Sequence, residues 1–182
     1  MNAPPSPEHL ANACEPRRDA HWLELTAGAN EAIKAGRDDL AATGYLRALN
    51  AAEDLFRTGD MRGTTVPLPA IMNIACHNLA EMAHQHGDIR WCRRFLDRAF
   101  DRLLATAAQR DADILFRIAC IQHLKYTVAE LSDHLSQHPD TTRPLGTYVT
   151  QVRRTAAEVV QSAAQTKRVF PSQHDGQGKL SD

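Results

Sequence analysis

One pattern of small and apolar residues occurs twice in this chain, and the two copies lie 51 residues apart. The first copy runs through Leu25, Gly28, Ala29, Ala32, Gly36, Ala41, Tyr45 and Ala48, and the second runs through Cys76, Leu79, Ala80, Ala83, Gly87, Cys92, Leu96 and Ala99. Small side chains recur where the two helices of a hairpin approach closely, and glycine suits the break between them because it adopts positive φ without strain. The pattern therefore predicts a repeat of helical hairpins.

Helical periodicity and chain-breaking residues predict six helices, and therefore an all-α fold of three antiparallel hairpins. The helices are expected from 16 or 19 to 35, from 38 to 57, from 71 to 86, from 88 to beyond 104, from 111 to 137 and from 144 onward. The longest internal loop is expected over residues 58–69, because its glycines and prolines do not fit a helix interior. The predicted domain spans residues 16–170, between a disordered N-terminal segment at 1–15 and a disordered C-terminal tail at 171–182 that lack apolar periodicity.

The repeated pattern also resembles a known family. The spacing Leu25-x2-Gly28-Ala29-x2-Ala32, followed by Ala41-x3-Tyr45 and Ala48, is similar to a tetratricopeptide repeat, whose pattern is W-x2-L-G-x2-Y followed by A-x3-F. The second copy carries His77-Asn78-Leu79-Ala80-Glu81 followed by Gly87-Asp88, which resembles the same family. The period of that family is about 34 residues, so the resemblance implies a tetratricopeptide-like α-α superhelix with longer hairpins.

This resemblance implies that the first helix of each hairpin lines a concave surface. The candidate groove residues, which lie off the packing stripe, are Thr26, Asn30 and Lys34 in the first copy and His77, Asn78, Glu81 and His84 in the second. Such side chains can hydrogen-bond an extended peptide backbone or a terminal carboxylate. We therefore expect a non-catalytic interaction module, an adaptor or chaperone-like protein that binds a protein or peptide partner and needs no cofactor.

A different chemistry is suggested by three of these residues alone. His77, Glu81 and His84 are spaced i, i+4 and i+7, so they share one face of a helix. Two imidazoles and a carboxylate can hold zinc or perform acid–base chemistry. Because the spacing differs from the H-E-x-x-H motif, a solvated groove face is the preferred interpretation, with no metal and no enzymatic activity expected. A helical metalloprotein or regulator is the alternative function.

A row of arginines is the other chemical candidate. It consists of Arg90, Arg94, Arg98 and Arg102, which repeat every four residues beside Trp91 and Phe95. Such a row can contact phosphates, but Asp97 and Asp101 lie at ion-pairing distance along the same helix. The chain as a whole carries 21 Lys and Arg against 22 Asp and Glu, so no overall positive field favours nucleic acid. Nucleic-acid binding is not expected.

Composition and cysteine spacing constrain the compartment. No stretch of about 20 apolar residues predicts a membrane span, and the first residues lack the cationic and apolar regions of a secretory signal. Cys14, Cys76, Cys92 and Cys120 have no close paired spacing, so reduced structural thiols are expected, with a disulfide or metal role as the alternative. These features predict a cytoplasmic protein, and abundant arginine and alanine suggest a bacterial source. The sequence leaves a homodimer open.

Overall fold

The computed structural model describes residues 17–169, which form six α-helices and, within that range, no β-strand. The helices are α1 (Ala20–Lys34), α2 (Asp38–Thr58), α3 (Leu68–Gln85), α4 (Ile89–Ala108), α5 (Ile114–Gln137) and α6 (Leu145–Val169). The prediction of an all-α fold is confirmed. The segments predicted to be disordered, 1–15 and 171–182, lie outside the described residues.

Each helix packs against the next helix along the chain. The loops 35–37 and 86–88 are so short that α1 with α2, and α3 with α4, form helical hairpins. In addition, α3 packs against α5 and α4 packs against α6, whereas α1 makes no comparable contact with α3. Within residues 17–169, α3 and α5 are therefore the only first helices of two hairpins that pack closely together.

The repeated glycines end α1 and α3 with the same hydrogen-bonding motif. Gly36 and Gly87 have φ values of 66° and 73°, a conformation that other residues adopt only with strain. In both cases the amide that follows the glycine donates to a carbonyl five residues earlier, at 2.9 Å after α1 and 2.8 Å after α3. This is the Schellman arrangement, which satisfies carbonyls at a helix end. The sequence repeat thus encodes two equivalent helix ends.

Close approach of the two helices of the first hairpin is confirmed. Ala29 on α1 is buried, and a Cβ added at Gly44 on α2 would lie only 2.9 Å from the Ala29 Cβ. Glycine at this position lets the backbone of α2 rest on α1. In the second hairpin the corresponding Ala80, Cys92 and Leu96 are buried, and α3 packs against α4. In the first hairpin the small residues therefore pack where the hairpin pattern predicted.

The loop between the first two hairpins is tied to the start of α1 by a buried carboxylate. Asp19 Oδ2 accepts hydrogen bonds from the amide and hydroxyl of Thr65, both at 2.7 Å, and from the amide of Val66 at 3.0 Å. Burial by itself would raise the pKa of Asp19, but these hydrogen bonds lower it below the ordinary value of 3.8. The carboxylate therefore stabilises the fold in its charged form.

The expected extent of this loop, 58–69, was wrong at both ends. Thr58 belongs to α2, while Leu68 and Pro69 form the buried first turn of α3. Proline is tolerated there because the first amides of a helix have no intrahelical acceptor, so the missing N–H costs nothing. The loop proper covers residues 59–67.

An ionic and aromatic cluster docks the start of α6 on α4. Arg93 Nε donates to Asp97 Oδ2 at 2.9 Å, and Tyr148 donates to Asp97 from its hydroxyl while accepting from Arg93. Arg143 lies over the Tyr148 ring at 4.2 Å and pairs with Asp101 at 2.6 Å. Burial, together with Asp97, raises the pKa of Tyr148 to about 12, so the phenol stays protonated and keeps donating.

Two further predictions from the sequence concern membrane-spanning helices and the state of the cysteines. No helix in residues 17–169 has the length and apolar character needed to cross a membrane. Cys76, Cys92 and Cys120 are free and buried, and Cys14 lies outside the described residues. Burial raises the pKa of Cys76 and Cys120 to about 12. These thiols are protonated and pack as small apolar side chains.

Candidate functional site

The α3–α5 cleft is a depression of about 190 Å³ bounded by α3, α4 and the C-terminal part of α5. It is lined by His77, Ala80, Glu81 and His84 from α3, by Cys92 and Leu96 from α4, and by Glu130, Asp133, His134, Gln137 and His138 from α5 and its C-cap. The buried Ala80, Cys92 and Leu96, which belong to the repeated pattern, form the apolar part of the lining. The same repeat that builds the hairpin therefore contributes to the cleft.

The α3 wall carries the triplet that the sequence singled out. His77, Glu81 and His84 all line the cleft, as their shared helix face predicted. Glu81 is fixed by Gln85, whose Nε2 donates to Glu81 Oε1 at 2.9 Å. His84 has no hydrogen-bond partner among the described residues and is exposed. One carboxylate and one imidazole of this wall are therefore accessible to a bound group.

A contact between His77 and Glu130 joins α3 and α5 at the cleft. His77 Nδ1 lies 2.9 Å from Glu130 Oε1. The hydrogen bond with Glu130 raises the pKa of His77 above its ordinary value of 6.5, and the nearby Glu81 adds to the effect against the cost of partial burial. His77 therefore acts as a bridge between the two helices, and its protonated form is neutralised by Glu130.

The α5 wall contributes a buried imidazole. His134 is only 7% exposed, and its Nδ1 lies 3.5 Å from Cys92 Sγ. Burial lowers the pKa of His134, and repulsion from His138 and Arg93 lowers it further. His134 is therefore neutral at pH 7. Within residues 17–169 its Nε2 has no hydrogen-bond partner, so one ring nitrogen at the cleft is left to interact with a ligand.

The lining of the cleft is acidic. It contains the carboxylates Glu81, Glu130 and Asp133 but no lysine or arginine. Glu130 is balanced by His77 when that imidazole is protonated. Asp133 is exposed and has no ion-pair partner among the described residues. At neutral pH the cleft therefore carries net negative charge and offers mostly hydrogen-bond acceptors.

The α5 half of this site was not predicted from the sequence. Glu130, His134 and His138 recur every four residues, a spacing that places them on one helix face and was available as a signal. They alternate with the apolar residues Leu131 and Leu135, which pack in the core. Because polar and core residues alternate along α5, its sequence resembles that of a helix with only a structural role. No local sequence signal indicates that its polar face meets α3.

The other predicted groove residues lie outside the α3–α5 cleft. Asn30 Oδ1 accepts a hydrogen bond from the Tyr45 hydroxyl at 2.7 Å, so it braces the first hairpin. Lys34 pairs with Glu31 at 2.7 Å on the exposed surface of α1. Thr26 and Asn78 are half-buried, and neither lines the cleft. Contact of these four residues with a partner stays a prediction.

A metal site requires several ligands that converge on one point. Among the described residues, no group of three His, Cys, Asp or Glu side chains is arranged to hold a metal ion. The imidazoles of His134 and His138 have ring centroids 5.2 Å apart, and His77 is engaged by Glu130. The cleft therefore offers separate polar contacts rather than a set of ligands converging on one point.

The arginine row divides into structural and exposed members. Arg98 Nε donates to Glu53 on α2 at 2.8 Å, and Arg102 lies over the Phe56 ring at 5.3 Å. Arg94 lies over the exposed Trp91 ring at 4.9 Å. The intrahelical pairing expected of Asp97 occurs with Arg93, whereas Asp101 pairs with Arg143 across to the next hairpin rather than within α4. The row is therefore not a continuous free cationic stripe.

A larger depression of about 480 Å³ lies between α1 and α2. Of the charged side chains in its lining, Arg18 contacts Asp60 at 3.0 Å and Asp54 pairs with Arg57, whereas Arg47 has no ion pair among the described residues. This lining brings together fewer histidine and carboxylate side chains than the α3–α5 cleft does.

Comparison with protein families matches residues 20–167 to a family described as a protein of unknown function (DUF2753). The matched region includes all of α1 to α5 and nearly all of α6. Searches among curated proteins and among solved structures gave no match.

Proposed function

The chain belongs to the DUF2753 family, and we propose that it is a non-catalytic protein–protein interaction module whose partner binds at the α3–α5 cleft. The observation that carries this proposal is the meeting of polar side chains from two separate hairpins in one accessible depression. Glu81 and His84 on α3 face Asp133 and His134 on α5. Such convergence of polar groups in a concave site is typical of ligand recognition.

The chemistry of the cleft supports binding rather than catalysis. Its single thiol, Cys92, is buried, and burial raises its pKa, so it is held as the unreactive protonated form. Its buried imidazole, His134, lies 3.5 Å from that thiol, and burial lowers the pKa of this imidazole. The carboxylates and exposed imidazoles are instead available for hydrogen bonds to a docked group.

The proposal includes a tetratricopeptide-like arrangement of the hairpins. Two equivalent glycine-terminated helix ends and the tight contact between α1 and α2 support it. In such an arrangement the first helices of the hairpins face the partner, which agrees with the position of the cleft on α3 and α5. We further infer a cytoplasmic location, supported by the reduced buried cysteines.

The experiment that tests the proposal is affinity capture from the native lysate with a matched pair of variants. The combined substitution Glu81→Ala and His84→Ala removes two exposed cleft groups without opening the core. Glu24→Ala removes an exposed carboxylate from α1 instead. A partner captured by the wild type and by Glu24→Ala, but lost with the cleft variant, supports the proposal. Equal capture by all three proteins contradicts it.

A helical metalloprotein or regulator is the second candidate, and one observation favours it. Four imidazoles and three carboxylates line the α3–α5 cleft, and these are the groups that bind divalent transition metals. Elemental analysis of tag-free protein tests it. Stoichiometric zinc that disappears in His84→Ala would support this candidate, whereas metal-free wild-type protein with an intact partner interaction would exclude it.

A further inference from the structure

The size of the α3–α5 cleft limits what can enter it. Its volume is about 190 Å³, while a protein cavity of about 150 Å³ accommodates a molecule the size of benzene. The depression therefore has room for the end of one long side chain. The rest of a partner would lie across its rim.

The charge of the cleft limits the chemistry of that group. Glu81, Glu130 and Asp133 supply carboxylate oxygens, and neither lysine nor arginine lies in the lining. A carboxylate or phosphate on the partner would meet like charge, whereas a cation would be attracted. The inserted group is therefore positively charged.

The buried imidazole of His134 favours a partner group that donates through more than one N–H. When His134 donates from Nδ1 towards the Cys92 sulfur, the lone pair on Nε2 is free to accept a hydrogen bond. An imidazole acceptor beside carboxylate oxygens matches a group that carries several donors and no acceptor. The arginine guanidinium has five N–H donors in a planar fork, whereas the lysine ammonium is a compact point charge.

We propose that the α3–α5 cleft receives the guanidinium of an arginine side chain presented by the partner, with Glu81 and Asp133 as its carboxylate contacts and His134 at the base. This inference rests on the proposed function, because it names the group through which the interaction module recognises its partner. A planar guanidinium also stacks well against aromatic rings, and His84 and His138 supply imidazoles at the rim of the same cleft.

The test uses short random peptides displayed on phage and selected on the full-length protein. Each selected peptide is synthesised in two forms, one with arginine and one with the neutral isostere citrulline at the same position. Binding is measured by calorimetry on wild-type protein, on the double variant Glu81→Gln with Asp133→Asn, and on Glu24→Gln as the matched control. The same titration is repeated with Zn²⁺ alone.

The inference predicts that selected peptides carry an arginine and that citrulline weakens binding by about tenfold to a hundredfold, the effect of losing hydrogen bonds to charged groups. The double variant should show a similar loss, and Glu24→Gln none. Peptides that lose affinity for the double variant but contain no arginine, or bind equally well with citrulline, would overturn the arginine inference and leave the interaction module standing.

The remaining outcomes also decide between the two proposals. If no selected peptide loses affinity for the double variant, the cleft is not a peptide site, and both the proposed function and the arginine inference fail. If Zn²⁺ alone binds stoichiometrically to the wild type, is lost in the double variant and displaces the peptides, the occupant of the cleft is a metal ion and the arginine inference is overturned.

Discussion

Replacing Gly44 by alanine should destabilise the protein, although the same change in most helices is stabilising. An added Cβ would lie 2.9 Å from the Ala29 Cβ and 3.3 Å from its Cα. These atoms belong to the shortest side chain and to backbone, so no change of rotamer relieves the contact. The axes of α1 and α2 must separate instead, at the expense of neighbouring contacts in the first hairpin.

The size of the effect follows from two opposing contributions. Forcing an extra methyl group into a well-packed interface costs about 1–3 kcal/mol. Replacing glycine by alanine within a helix stabilises the helix by about 1 kcal/mol, because alanine has the higher helix propensity. We therefore expect Gly44→Ala to lower the free energy of unfolding by up to about 2 kcal/mol.

Gly28 provides a matched control on the other helix of the same hairpin. It is exposed, and an added Cβ there meets no atom within 4 Å. Gly28→Ala should therefore raise the free energy of unfolding by up to about 1 kcal/mol, because only the propensity gain applies. The two variants share one chemical change, so the difference between them, about 1–3 kcal/mol, isolates the contact with Ala29.

The assay is urea denaturation followed by far-ultraviolet circular dichroism, with both variants measured beside the wild type. A third protein combines Gly44→Ala with Ala29→Gly, which moves the methyl group from one helix to the other and should recover part of the loss through the coupling between the two positions. The reasoning is refuted if Gly44→Ala and Gly28→Ala change the free energy of unfolding equally.

Three further predictions concern stability. Asp19→Asn should lower the free energy of unfolding at pH 7 by about 1–3 kcal/mol, because the hydrogen bonds from loop 59–67 favour the carboxylate. Since those bonds outweigh burial and depress the folded-state pKa below 3.8, wild-type protein should lose this advantage as pH falls through the folded pKa, and acid titration of both proteins should converge. Ala80→Leu should overpack the second hairpin and cost about 1–3 kcal/mol, and an unchanged melting temperature would argue against that packing. Asn30→Ala should cost about 0.5–1.5 kcal/mol through the lost bond to Tyr45, whereas weaker partner capture without any loss of stability would show that Asn30 acts at an interface instead.

Most of the fold could be predicted from the sequence because the residues that determine the helix ends and helix faces act locally. Gly36 and Gly87 mark helix ends through their own backbone conformation, and their neighbours complete the motif. The apolar periods of α5 and α6 likewise predicted helices in the correct places. The error at Pro69 arose because proline is excluded from a helix interior but not from its first turn, and that distinction depends on where the helix starts.

Only the α3 half of the candidate site could be predicted from the sequence, and the reason is again physical. His77, Glu81 and His84 share a face by helical geometry alone, whereas their opposition to Glu130 and His134 depends on how α3 packs against α5. No local signal encodes that packing. The hydrogen bond between Tyr45 and Asn30 likewise depends on how two helices pack, and the predicted contact of Asn30 with a partner stays a prediction.

Site-specific photo-crosslinking in living cells tests the central claim most directly, because it asks where on the surface the partner lies. A photoreactive amino acid is placed at Gln137, an exposed position of the α3–α5 cleft that is not one of the proposed contacts, and at Glu24 on α1 as the control. We expect a covalent adduct with a partner protein from Gln137 and none from Glu24. Adducts from Glu24 alone, or equal adducts from both positions, would contradict binding at the cleft.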